Sequence, residues 1–256
     1  MLDVHPAHHA ASTWREFFIH IATIVLGLFI AVSLEQTVEL LHHRHQRHQL
    51  EEELHRDGEA NEQYIKDNIA FAQSIMDWAL QQAAAIEHAR PTGPLRLDRM
   101  PAGRIYRPDA GVWLAAKANG QASLLPTGEQ NWFDDLDLLQ NQLFVSNASS
   151  TEQLYAAYGA LDQVVVGHAI ATPSSDLDLS TLDPAQRQAV VERLRSIAEQ
   201  TRVVMRGLLS YLDDDEYILS TPGDQLDTPQ AMNQYLAIAR KSMDAYPDLQ
   251  YTFSPK

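Results

Sequence analysis

The hydrophobic residues of the chain form one uninterrupted apolar run followed by a series of amphipathic stretches. The run, Phe17–Leu34, contains no charged side chain. At about 1.5 Å per residue, a helix of this length reaches roughly 27 Å, close to the ~30 Å hydrocarbon core of a bilayer. The pattern predicts a transmembrane anchor over residues 14–35, which follows a flexible tail of residues 1–13 and places Trp14 among the headgroups.

The same run also fits a cleaved signal peptide, because Ala31-Val32-Ser33 supplies the small residues of a cleavage site. Against cleavage, Arg15 stands beside Glu16 before the run, and the helical pattern continues through the supposed cut. The orientation stays open as well. Arg44 and Arg47 after the run lean towards a cytoplasmic domain by the positive-inside rule, whereas an uncleaved N-terminal anchor usually leaves the bulk of the chain outside.

A helical pattern continues without proline from the anchor through residues 36–90. In its second half, apolar residues recur in alternating steps of four and three, as in a bundle or coiled coil. This seam consists of Ile65, Ile69, Ala72, Met76, Ala79, Ala83 and Ile86. We therefore predict that the anchor continues as one long helix.

Histidines and glutamates are concentrated on one face of this helix shortly after the anchor. The face consists of His45, His48, Glu52 and His55. Glu52 and His55 have the Glu-x-x-His spacing of four-helix di-iron sites, but such sites need the same spacing on a second helix. The helical phase turns this face away from Leu54 and towards water. We favour a solvated face and keep a site for Zn²⁺ or another divalent metal as the alternative.

Prolines, glycines and arginines mark residues 91–108 as a long loop. Arginine forks bind carboxylates and other anions. Arg104 and Arg107 are therefore candidate ligand-binding residues, together with Trp113 and Lys117 in the helix that follows. The competing interpretation, which we favour, is that these arginines pair with the acidic helices of the chain itself.

Further amphipathic stretches complete the domain across residues 109–246, before a tail of residues 247–256. Asp183 followed by Pro184 is an N-cap with proline at the first helical position. The acidic run Asp213–Glu216 lacks the ligand spacing of an EF-hand loop, and we interpret it as solvated. Helices are predicted over residues 109–120, 129–145 and 151–171, from residue 184 onward, and over residues 230–245.

No period-2 run of β-branched residues occurs in the chain. We therefore predict an all-α protein, in which an N-terminal transmembrane helix continues into a long helix and an antiparallel helical bundle follows.

The composition argues against several classes of function. A net charge of −15 argues against nucleic acid as a partner. The absence of cysteine excludes disulfides, thiolate catalysis and cysteine-ligated metals. Serine-hydrolase, P-loop and dinucleotide-binding motifs are also absent from the sequence. We expect that the protein is not an enzyme and that it binds no cofactor, apart from the divalent metal considered for the histidine face.

Two stretches together resemble one group of proteins. The segment from Trp14-Arg-Glu-Phe to Leu34-Glu-Gln36 is similar to the start of bacterial single-pass membrane proteins in which a glycine-containing span runs into a long polar helix. Their mid-domain pattern of a tryptophan, a small residue and a glycine is similar to Trp113, Ala116 and Gly120. The resemblance implies a membrane-anchored helical domain of unknown function and supplies no substrate, cofactor or active-site residue.

Three functions fit these patterns, and we favour the first. It is an interaction or scaffold protein at the bacterial inner membrane, which contacts the bilayer through Phe17–Leu34 and pairs with itself or another membrane protein. The second is a ligand- or stress-sensing module that acts through a membrane partner, with a pocket around the arginine-rich loop and Trp113. The third is a metal-dependent protein that uses the histidine face.

Overall fold

The computed structural model describes residues 14–165 and 176–249. The predicted tail of residues 1–13, the end of the helix predicted to reach residue 171, and residues 250–256 lie outside the described residues. Helices dominate the structure, so the predicted all-α class is confirmed. The chain divides into two compact units between Leu50 and Glu51, and each unit is described by itself.

The first helix, α1 (Trp14–His88), is continuous and joins the predicted anchor to the predicted long helix. Its length follows from the absence of proline and of an early C-cap glycine in this part of the chain. In the first unit, every residue from 14 to 45 is exposed. In the second unit, all seven residues of the predicted seam are buried, with Ile65 and Ile86 fully inaccessible.

Five further α-helices, several short 3₁₀ and π-helical turns and one small sheet lie in the described part of the second unit. Strands β1 (Pro94–Arg96) and β2 (Asp176–Asp178) pair antiparallel, with Leu95 opposite Leu177. The sequence did not indicate this sheet, because strands of three residues are too short to show a period of two. The helices are α2 (Gly111–Asn119), α3 (Thr127–Gln140), α4 (Ser150–Val165), α5 (Pro184–Ser220) and α6 (Pro229–Ala245).

Helix α5 is the centre of the bundle and packs against α3, α4 and α6. It begins with the predicted N-cap: Asp183 and Gln186 form a reciprocal capping box, with Pro184 at the first helical position. It runs antiparallel to the second half of α1, because Arg195 pairs with Glu87 near one end and Leu219 contacts Gly58 near the other.

An extended segment, residues 98–109, lies along the second half of α1, and we call it the strap. Three buried amide side chains on α1 hold it by accepting and donating hydrogen bonds. Asn68 accepts from the Tyr106 backbone N–H at 2.8 Å and donates to the Tyr106 carbonyl at 2.7 Å. Asn61 makes the same pair of bonds with Asp109, and Gln82 binds Asp98. The strap therefore obtains hydrogen-bond partners without forming a helix or a longer strand.

The acidic run on α5 is buried, so the prediction of a solvated run that ends or decorates this helix was wrong. Asp213, Asp214 and Asp215 are 0%, 4% and 4% exposed, and α5 continues beyond them. Three consecutive helical residues point in directions about 100° apart, so all three are buried only where the helix is surrounded. On α6, Ser242 donates to Asp213 at 2.5 Å and Tyr235 donates to Asp214 at 2.7 Å.

The start of the predicted C-terminal tail is also packed against the bundle. A short turn over Pro247–Leu249 buries Leu249, and the guanidinium Nε of Arg206 donates to the Leu249 carbonyl at 2.7 Å.

Candidate ligand-binding cavity

A small cavity lies where the second half of α1, the strap, α2, α3 and α5 meet. Its volume is about 40 Å³, enough for about three water molecules. We call it the acidic cavity because four carboxylates line it, namely Asp57, Asp109, Asp137 and Asp215. Three aromatic rings also line it, those of Trp113, Phe133 and Tyr211.

Asp57 and Asp109 lie at the N-terminal end of α2. The side chain of Asp57 accepts from the backbone N–H of Val112, and Asp109 Oδ1 accepts from that of Gly111 at 2.9 Å. Burial raises the pKa of Asp57, and the negative charge of Asp109 raises it further. The two carboxylates thus satisfy free N–H groups of the helix at the cost of mutual repulsion.

Asp137 is partly neutralised from outside the cavity by Lys117. The ammonium group of Lys117 lies 2.8 Å from Asp137 Oδ2 and 3.1 Å from Asp134 Oδ1. Burial lowers the pKa of Lys117, but its hydrogen bonds to Asp137 and Asp134 outweigh burial and raise it overall. Lys117 is therefore already occupied by the protein's own carboxylates.

Asp215 is the most deeply buried carboxylate of the cavity, and it has no compensating cation on the described part of the chain. Its Oδ2 atom is inaccessible and has no hydrogen-bond partner there. Burial raises its pKa to about 7, and the charges of Glu62 and Asp214 act in the same direction. Burial likewise raises the pKa of the Tyr211 hydroxyl, helped by Asp215 and neighbouring carboxylates.

The four predicted ligand-binding residues do not converge on one site. Arg104 and Arg107 line an open surface groove with Tyr64 and Tyr106. The Arg104 guanidinium lies 4.5 Å from the centre of the Tyr106 ring. The competing prediction was that these arginines pair with the acidic helices of the chain. Within the described ranges, neither Arg104 nor Arg107 forms an ion pair.

Trp113 instead belongs to the acidic cavity. Its ring is 4% exposed and its indole N–H donates to Asp134 at 3.3 Å. The Lys117 ammonium lies 5.4 Å from the centre of this ring. Of the four predicted residues, Trp113 lines the acidic cavity, Arg104 and Arg107 line the surface groove, and Lys117 binds Asp134 and Asp137.

The predicted metal ligands lie along α1 with accessible side chains. His45, His48 and Glu52 are exposed, and His55 is half-buried. Across residues 14–165 and 176–249, no group of three or more histidine or acidic side chains has an arrangement that could hold a metal ion. The structure thus offers no metal centre within one copy of the described chain.

The four carboxylates of the acidic cavity were not predicted from the sequence, although the periodicity of α5 indicated that one of them, Asp215, is buried. On α5, the buried residues Leu208, Tyr211, Asp215 and Ile218 follow one another in steps of three and four. This phase alone places Asp215 on the buried side of the helix. Asp57 and Asp137 are half-buried and Asp109 is exposed, and a carboxylate at such a position also suits a solvated surface.

Comparison with known proteins finds no matching family model, no similar curated protein and no similar solved structure. The resemblance to bacterial single-pass membrane proteins stays a prediction, and the function has to be argued from the structure.

Proposed function

We propose that the protein is a membrane-anchored interaction protein of the bacterial inner membrane. In this proposal Phe17–Leu34 crosses the bilayer once, and the part of α1 that follows pairs with the same helix of a second copy. The observation that carries the proposal is the exposure of an apolar surface: residues 14–45 are all exposed, and the run within them is apolar around the whole helix.

The anchor is supported by length, composition and exposure together. The apolar stretch of α1 is long enough to cross a membrane, and none of it is buried within the structure. A core helix of a soluble protein would bury most of such a stretch, because exposed apolar area is costly in water. A signal peptide passes the same test of length, but the helix continues without a break through Ala31–Ser33, which favours an uncleaved anchor.

A pairing surface is supported by an apolar stripe that begins at the last residue of the run. Leu34, Val38 and Leu41 are 62%, 65% and 58% exposed and follow one another in steps of four and three. This spacing presents one continuous face to a neighbouring helix. The seam between Ile65 and Ile86 is unavailable for this purpose, because the bundle of the same chain buries it.

A second copy is the occupant that fits this stripe best. Chains inserted into one bilayer with the same orientation present identical faces at the same depth, which favours a parallel, self-complementary pair. Restriction to the membrane also raises the effective concentration of the two helices.

Disulfide cross-linking in isolated membranes tests the proposal, because the chain contains no cysteine of its own. We expect Val38→Cys and Leu41→Cys to give disulfide-linked dimers under mild oxidation. Gln36→Cys and His43→Cys are the matched controls, since they lie on the opposite face of the same helical turns. These two variants should remain monomeric.

Equal cross-linking at all four positions, or at none of them, would contradict pairing through this face. A cross-linked product whose mass exceeds that of one chain but differs from that of two would replace the second copy with another protein as the partner.

The acidic cavity favours a second candidate function, a ligand- or stress-sensing module that acts through a membrane partner. The supporting observation is a buried carboxylate, Asp215, which faces a cavity and has no partner for its Oδ2 atom among the described residues.

A further inference from the structure

We propose that the acidic cavity binds a primary ammonium group. This inference concerns the bundle alone, goes beyond membrane anchoring and helix pairing, and holds whether or not Phe17–Leu34 spans a bilayer.

Positive charge is scarce around the cavity. Asp57 and Asp109 each accept a backbone N–H, and Asp137 pairs with Lys117. Asp215 is only 4% exposed, yet its inaccessible Oδ2 atom has no donor among the residues described. A buried carboxylate loses its hydration without gaining a donor in return, so a cationic donor that enters the cavity is favoured.

The chemistry of the cavity walls favours a cation over an anion. The cavity combines carboxylates with the rings of Trp113, Phe133 and Tyr211. Aromatic faces attract cations through their quadrupole, and carboxylates accept hydrogen bonds from them. An anion would meet only repulsion from the four acidic side chains.

The size and geometry of the cavity favour a primary ammonium among cations. A volume of about 40 Å³ corresponds to about three water molecules, which suits the end of an alkylamine better than a whole metabolite. A primary ammonium has three N–H donors on one compact centre, matched to carboxylates that come from different elements. A metal ion fits less well, because no set of three acidic or histidine ligands is arranged for one in the described ranges.

The test measures thermal unfolding of the full-length protein in detergent micelles at pH 8, at constant ionic strength. The probe is methylammonium chloride, and tetramethylammonium chloride is the comparison because it carries the same charge without N–H donors. Methylammonium should raise Tm in a saturable manner, by roughly 3–6 °C at about ten times its dissociation constant. Tetramethylammonium and sodium chloride should not.

The decisive variant is Asp215→Asn, which should lose the methylammonium-dependent rise while keeping a Tm without ligand at or above that of the wild type. Glu192→Gln is the matched control, because Glu192 lies exposed on the same helix and does not line the cavity. It should keep the full rise. No rise in the wild type, an equal rise with sodium or tetramethylammonium, or an undiminished rise in Asp215→Asn would each overturn the proposal.

A second variant keeps the proposal testable if Asp215→Asn does not fold. A Cβ atom on Gly58 would lie 3.1 Å from Asp215 Oδ1 and would occupy part of the cavity. Gly58→Ala should therefore weaken methylammonium binding several-fold. Unchanged binding in this variant would overturn the proposal as well.

Discussion

At the scale of single residues, Asp215 stands out because burial and like charges act on it in the same direction. It faces α1 and the acidic cavity, where Glu62, Asp57, Asp109 and Asp137 carry negative charge. Burial, together with Glu62 and Asp214, raises its pKa from 3.8 to about 7. Burial at the contact with α6 is the main cause that raises the pKa of the nearby Asp213 to about 6.

This raised pKa predicts that the protein loses stability as the pH rises. The folded state keeps a proton on Asp215 that the unfolded chain releases above about pH 4, so the stabilising contribution is present at low pH and is lost towards pH 7. Each unit of pKa shift corresponds to about 1.4 kcal/mol, which gives a decrease of a few kcal/mol at most. Asp215→Asn should flatten this dependence between pH 5 and pH 8, measured as the free energy of unfolding in denaturant.

Asp224→Asn is the control for this prediction, because Asp224 lies exposed in a loop away from the cavity. It should leave the pH dependence of the wild type unchanged. The assignment fails if Asp215→Asn and the wild type lose the same free energy of unfolding between pH 5 and pH 8.

Residue-scale periodicity carried more information than the chemical character of the residues. The steps of three and four along α5 place Asp215 in the core, whereas the acidic composition of the run suggested solvent. The other two aspartates of the run are accommodated because α6 supplies them with donors, Ser242 to Asp213 and Tyr235 to Asp214. Both donors are more than twenty residues from the aspartates in the sequence, so no local pattern predicts these hydrogen bonds.

At the scale of elements, the strap shows how α1 organises a segment that has little secondary structure of its own. The three amides that hold it, Asn61, Asn68 and Gln82, lie on one buried row of α1 at separations of seven and fourteen residues. Each amide offers both a donor and an acceptor to the backbone that passes over it. The strap in turn carries Asp109 to the acidic cavity and Arg104 to the surface groove.

We predict that Asn68→Ala loosens the strap. The substitution removes both hydrogen bonds to Tyr106 and should lower the free energy of unfolding by about 1–3 kcal/mol. Trypsin should also cleave faster after Arg104, because the strap no longer lies against α1. Gln63→Ala is the matched control on the exposed side of the same helix, where the Gln63 amide donates to Asp67.

The control should change the free energy of unfolding by less than about 0.5 kcal/mol. Equal effects of the two substitutions on stability and on cleavage would mean that the amide of Asn68 does not hold the strap.

Helices were predictable at this scale, and the strap and the small sheet were not. Periodicity and capping signals predicted helix α1, helix α6 and the first residue of α5 close to where the structure has them. Such signals depend only on residues that are neighbours in the sequence. The strands Pro94–Arg96 and Asp176–Asp178 pair across a large separation in sequence. The buried amides of α1 had the composition of a polar surface, and only the docked strap reveals their role.

At the scale of the whole molecule, one chain contains an exposed apolar helix segment and a bundle that buries its own apolar residues. The apolar run on α1 is exposed throughout, whereas the bundle buries its seams and even three consecutive aspartates. A membrane anchor explains the first property without invoking any feature of the second, which allows the two to be tested separately.

The most direct measurement of the central claim is extraction of cell membranes at alkaline pH, followed by the intact mass of the extracted chain. We expect the full-length protein to stay in the membrane pellet with residues 1–33 retained. The double variant Leu26→Arg/Ile30→Arg should shift to the soluble fraction, because each arginine near the centre of a span costs about 2.5–3.5 kcal/mol. The control Glu35→Arg/Glu39→Arg, beyond the run, should remain in the pellet. Release of the wild-type protein into the soluble fraction, or a chain shortened at the Ala31–Ser33 site, would contradict the account.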